Sequence, residues 1–142
     1  MLPAYINFTI LSLICAIHVY WGFGGNWGIR ESLPERNGSK AFQPGRIATL
    51  VVAVVFGYMA LFYLIRIGQL PELDHFVPHW LWLYGLWLFA GIFLLRAVGD
   101  FRYVGFFKKV RNSRFAQLDT KFYSPLCVLL SLNTFLLILF PI

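Results

Sequence analysis

Apolar positions gather into four runs, at 4–23, 47–65, 77–95 and 124–140, separated by stretches where charged and turn-forming residues return. Each run is close to the 20 or so residues that a helix needs to cross about 30 Å of hydrocarbon. The second run, LVVAVVFGYMALFYLI, is rich in β-branched residues. In lipid, however, only helices and closed barrels satisfy their own backbone, and four such runs cannot close a barrel. The pattern predicts a single all-α domain over 1–142: an integral membrane four-helix bundle.

The third connector adds one more element. Tyr103, Phe106, Phe107 and Val110 recur at i, i+3, i+4 and i+7, with Arg102, Lys109 and Arg111 off that stripe. This spacing predicts an amphipathic interfacial helix between helices 3 and 4, lying in the headgroup region. Phe115, Leu118 and Phe122 would extend its apolar contact.

Small residues predict which faces pack, because helices in lipid associate where their backbones approach. Gly45, Thr49, Ala53, Gly57 and Ala60 line one face of the second run, and Ser124, Cys127, Ser131 and Thr134 one face of the fourth. Asn133 should hydrogen-bond across a helix interface, since an unpartnered amide in hydrocarbon costs several kcal/mol. Trp80, Trp82 and Tyr84 sit where an interfacial aromatic belt is expected. No internal repeat is apparent.

Composition agrees with a membrane protein: 59% of the residues are hydrophobic and 13% charged, against about a quarter charged in a soluble domain. The first run has no basic residue ahead of it and ends in Trp-Gly-Phe-Gly-Gly, unlike a secretory cleavage site, so it is expected to remain as a helix. Cys15 and Cys127 fall inside separate runs and match no zinc or redox spacing; they read as small buried residues.

Charge sets an expected orientation. Connector one carries Arg30, Arg36, Lys40 and Arg46; connector three carries Arg96, Arg102, Lys108, Lys109, Arg111, Arg114 and Lys121; connector two carries Arg66 alone. With four spans, connectors one and three share a side. That side is expected to be cytoplasmic, with both termini outside. The net charge of +6 flanks membrane spans rather than forming a groove, so the expected partner is the anionic inner leaflet and not nucleic acid.

Candidate chemistry clusters on the same side. His18 lies in the first span, followed by Tyr20, Trp21, Gly24, Gly25 and Trp27. A histidine at that depth should face protein or water. Its ring can carry a proton, donate to a ligand, bind haem or a metal, or pin one helix to another. Arg96 and Asp100 stand four apart and can pair if the third helix runs through Gly99, with Arg102 competing for the carboxylate. Alternatively, Arg96 or Arg102 is free to hold a phosphate or carboxylate. Further on, Ser124 is a plausible N-cap ahead of Pro125, and Asp119 a second cap or a partner of Lys121.

On the other side, Glu72, Asp74, His75 and His79 form a loose set with metal-ligand character, but Pro78 interrupts it and nothing completes the shell. No metal and no cofactor is assigned. His18, Trp21, Arg46, Thr49, Arg96, Asp100, Asp119, Tyr123 and Ser124 instead converge on the cytoplasmic ends of the spans, where a pocket is expected.

Three segments, HVYWGFGGNWG, RAVGDFRYVGFFKKV and LDTKFYSPLC, together resemble the small bacterial four-helix membrane proteins grouped as domain of unknown function 3995. The resemblance covers nearly the whole chain. It implies a bacterial inner-membrane bundle and marks His18, Trp21, Gly25, Trp27, Arg96, Gly99, Asp100, Arg102, Tyr103, Asp119, Tyr123, Ser124 and Pro125 as family residues. It implies no particular activity.

The expected function is binding of a lipid headgroup or small amphiphile in a cytoplasmic-side pocket, with His18, Trp21, Arg96, Asp100, Arg102 and Tyr123 as ligand contacts. One rival is a membrane enzyme acting on a lipophilic substrate, with His18 as acid or base and Asp100, Asp119 or Tyr123 beside it. Another is an accessory subunit or homo-oligomer whose small-residue face on the second span meets another chain. A transporter fits less well, because four short helices without a repeat leave little room for alternating access.

Overall fold

The computed structural model describes residues 1–36, 39–40 and 44–140; of the domain expected over 1–142, residues 37–38, 41–43 and 141–142 lie outside the described residues. The chain forms helices α1 (Leu2–Gly22), α2 (Arg46–Arg66), α3 (His79–Val98), α4 (Arg114–Leu118) and α5 (Ser124–Leu139). Connector one contains a two-residue antiparallel ladder, β1 (Glu35–Arg36) with β2 (Ser39–Lys40), in which Glu35 faces Lys40 and Arg36 faces Ser39. A 3-10 helix, Pro71–Phe76, turns the chain between α2 and α3. The expected all-helical four-span bundle is observed: Leu2–Gly22, Arg46–Arg66, His79–Val98 and Arg114–Leu139 are each long and apolar enough to cross a membrane.

The fourth span starts earlier than its apolar run predicts. A π-helical turn, Asp119–Tyr123, joins α4 to α5 without a break. Ser124 therefore lies inside a continuous helix and caps nothing. The cap is Ser113, whose hydroxyl accepts from the Ala116 N–H.

The helices pack as two antiparallel pairs. In the α1–α2 pair, Gly22 lies against Leu50, His18 against Phe56 and Cys15 against Gly57. The small-residue face of α2 is thus used within the chain, against α1: Thr49, Ala53 and Ala60 are buried, while Gly45 at its start is exposed. In the α3–α5 pair, the Ser131 hydroxyl donates to the Ala90 carbonyl at 2.9 Å and the Trp87 ring meets Phe135 edge-on. Phe62 and Tyr63 of α2 join the pairs by packing on Phe89 of α3.

A buried polar knot closes the bundle toward the α2–α3 connector. Asn7 donates through Nδ2 to the Leu130 carbonyl (3.1 Å) and to Thr134 Oγ1 (3.0 Å), and its Oδ1 accepts from Asn133 Nδ2 (3.0 Å). Tyr63 and Thr134 share a 2.6 Å bond between their hydroxyls. Asn133 bridges helices as predicted; its partner Asn7, a lone amide in the first apolar run, is the complementary signal.

Each such bond between membrane helices is worth roughly 0.6 kcal/mol. Asn7→Leu, which removes three, is expected to destabilise the protein by about 2 kcal/mol on that scale. The double variant with Asn133→Leu should cost less than the sum of the singles. Unfolding in mixed micelles measures both, and strict additivity would show that the two amides do not act together.

Candidate functional site

The third connector begins where α3 stops. Gly99 takes φ 86° and ψ −168°, outside the range open to other residues, and turns the chain away from the helix axis. Asp100 then collects three donors from the residues beyond Phe101: its Oδ1 accepts from the N–H groups of Arg102 (2.9 Å), Tyr103 (2.7 Å) and Val104 (2.9 Å). Burial pushes the Asp100 carboxyl upward, but the N–H groups of Val104, Tyr103 and Arg102 outweigh it and hold the acid below the ordinary carboxylate range.

The predicted amphipathic helix is therefore absent. Residues 101–113 form a loop, because donors that a helix would send to carbonyls four residues back go to Asp100, and Phe101 and Gly105 both adopt positive φ. The loop still presents apolar surface: Phe101 and Phe107 are exposed, with ring centroids 6.2 Å apart. The predicted Arg96–Asp100 pair is also absent, since the helix ends before Asp100 and that side chain serves its own loop.

Arg96 turns instead to Asp119. Arg96 Nη2 donates to Asp119 Oδ1 at 2.9 Å, and Lys108 Nζ donates to Oδ2 at 3.0 Å. The Ser124 hydroxyl donates to Oδ1 and the Gly105 N–H to Oδ2. The π turn allows this, because it sets Asp119 and Ser124, five residues apart, on one inward face. Asp119, Ser124 and Lys108 are all buried.

Counting donors and acceptors shows which member of the cluster has capacity left. A carboxylate offers about four acceptor directions, and Asp119 fills them with Arg96, Ser124, Gly105 and Lys108. Lys108 uses all three of its protons, on the Gly105 carbonyl (2.9 Å), Asp119 and Thr120 Oγ1 (2.6 Å). Neither group is free to act as acid, base or ligand. Arg96 differs: its Nη1 is buried and bonds to nothing among the described residues. Two cations also share one anion here, which leaves the cluster with a charge of +1.

The other predicted site residues are partnered separately. His18 Nδ1 donates to the Ile14 carbonyl at 2.7 Å, and its ring packs on Trp21 and Phe56. The Trp21 indole donates to the Trp27 carbonyl, and the Tyr123 hydroxyl to the Glu31 carbonyl at 3.3 Å. Arg102 stacks over Tyr103, Thr49 bonds back to the Gly45 carbonyl, and Lys121 lies over Phe122 rather than beside Asp119. Among the described residues, His18 makes no hydrogen bond to a carboxylate or to Tyr123, the contact that acid–base work by His18 predicts.

All six expected ligand contacts lie at the same end of the bundle, yet only the Arg96 corner forms a connected cluster. Glu72, Asp74, His75 and His79 do not converge, and among the described residues no three metal-capable side chains do. A shallow groove of about 310 Å³ runs along α2 beside Ile47, Leu50, Val51, Val54 and Val55. It contains none of the predicted site residues and is not the expected pocket.

Lys108 was not distinguishable from its basic neighbours in the sequence. The available signal was Asp119, one of two acids in a connector with seven bases. Glu31 was likewise missed. Its carboxylate lies 3.7 Å from Arg114, so that connector one docks on the fourth span.

Four helices able to cross a membrane, with a buried charge cluster at one end, define a multi-pass membrane protein. The chain belongs to the family described as Protein of unknown function (DUF3995), whose model matches residues 11–134. No curated protein and no solved structure matches it.

Proposed function

We propose that the protein holds the anionic headgroup of a lipid or small amphiphile at the Arg96 corner. The observation that carries this reading is the buried, unbonded Arg96 Nη1 in a cluster whose other charged members are saturated. A buried guanidinium N–H without an acceptor is costly. An oxyanion would supply the acceptor and also balance the surplus positive charge. Arg96 is a third exposed although Nη1 itself is buried, so a ligand coming from the membrane interface meets the guanidinium and reaches Nη1 once the side chain turns. Arg102, Lys109 and Arg111, all exposed on the same loop, would raise the local concentration of anionic lipid. The excess of basic residues in connectors one and three supports placing this end in the cytoplasm of a bacterial cell, with both termini outside the inner membrane.

Arg96→Lys tests the reading with the least disturbance, because an ammonium can keep one bond to Asp119 but has no second arm. In protein purified with native lipids, retained anionic lipid measured by mass spectrometry should fall at least fivefold by order of magnitude, with α-helical content unchanged. Equal retention by the wild type and by both Arg96→Lys and Arg96→Gln would refute the proposal.

A further inference from the structure

The second buried guanidinium atom without a partner lies at the opposite end of the bundle. Arg66 ends α2, and its Nε is buried and unbonded. Among the described residues, Arg66 makes no hydrogen bond and no ion pair, although Glu72 and Asp74 follow it in the same connector. Its one contact of note is with Trp82, whose ring lies 4.8 Å from the guanidinium carbon. Trp82 is itself half-buried against the core, unlike Trp80 and Tyr84, which are exposed as an interfacial belt requires. The guanidinium therefore lies over the aromatic ring, while its N–H donors make no bond to the described residues.

We infer that Arg66 and Trp82 form a second anion site, distinct from the Arg96 corner, that takes the phosphodiester of a zwitterionic phospholipid headgroup. A guanidinium held over an aromatic ring with Nε buried offers its two terminal nitrogens as a fork to two oxygens of one phosphate. Its depth suits a headgroup: α2 starts at Arg46 and ends at Arg66, and 21 helical residues span about 30 Å, the thickness of the hydrocarbon. The local charge selects the class. From Arg66 to His79 the chain has Arg66 as its one Lys or Arg, against Glu72 and Asp74, with His75 and His79 as the other titratable side chains. A dianion or a net-negative headgroup would be opposed by both carboxylates. A phosphodiester on Arg66 with an ammonium group toward the acidic loop is favoured by both charges.

The test uses the full chain in uncharged detergent. It is titrated separately with a short-chain diacyl phosphocholine, the corresponding phosphoglycerol and inorganic phosphate, and bound molecules are counted by native mass spectrometry. Wild type should bind the phosphocholine saturably. Arg66→Gln should bind it about tenfold more weakly, Trp82→Leu should lose several-fold, and Trp82→Phe, which keeps an aromatic face, should retain it. Glu72→Gln with Asp74→Asn should shift the preference toward the phosphoglycerol. Phosphocholine binding by Arg66→Gln equal to that of wild type would overturn the site. Saturable binding of inorganic phosphate at Arg66 without lipid binding would overturn the lipid assignment.

Discussion

Asp119→Asn is expected to destabilise the protein by about 3–5 kcal/mol, the usual consequence of removing one member of a buried ion pair. Lys108 is 1% exposed and Asp119 wholly buried, so solvent cannot replace the missing charge. The amide is also wrong in its donors. Asparagine can present an oxygen to Arg96 and Ser124, but its NH₂ then faces the Gly105 N–H and Lys108 Nζ, and donors meet donors. Lys108→Met should cost less, because Asp119 would keep Arg96, Gly105 and Ser124. Adding Lys108→Met to Asp119→Asn should restore part of the lost stability by removing the uncompensated charge. Equilibrium unfolding in mixed micelles ranks the three. A cost below about 1 kcal/mol for Asp119→Asn, the range of an exposed pair, would show that the cluster does not hold the connector to the bundle.

The second large effect belongs to Gly99. A Cβ there would fall on the Val104 carbonyl oxygen, and φ 86° with ψ −168° is a backbone region that essentially only glycine enters. Gly99→Ala is expected to cost about 3 kcal/mol, combining backbone strain with a clash that cannot relax without opening the loop. Opening the loop would also withdraw the Gly105 N–H and Lys108 from Asp119, so the variant should expose Lys108 to amine-reactive reagents that the wild type excludes. Gly91→Ala is the control: a Cβ there meets nothing within 4 Å, and in mid-helix it should change stability by no more than about 1 kcal/mol. Equal effects at positions 91 and 99 would sink the account of this turn.

The four spans follow from composition, because hydrocarbon thickness imposes a length on any chain that crosses it. The small-residue face of α2 was legible for a similar reason, since close helix approach demands small side chains. Asn133 was readable as a bridging group, but only the folded bundle identified Asn7, Thr134 and Tyr63 as its network. The amphipathic stripe at Tyr103, Phe106, Phe107 and Val110 misled, because periodicity records which side chains are apolar and not where the backbone donors go. Asp100 captured three of those donors, and the segment became a loop.

The sequence by itself determined that the chain has four segments long and apolar enough to cross a membrane, and that its basic residues gather in the first and third connectors. Both properties are sums over residues, insensitive to which partner each side chain finds. Only the tertiary structure decided that Asp119 rather than Asp100 receives Arg96, that Lys108 is buried while neighbouring Lys109 is exposed, and that His18 is tied to its own helix. It also decided that Arg66 and Arg96 each keep a buried nitrogen unbonded among the described residues. The two contacts that seat Asp119 join residues 11 and 23 positions apart; a hydrogen bond needs a directed partner, and the fold selects which residue stands there.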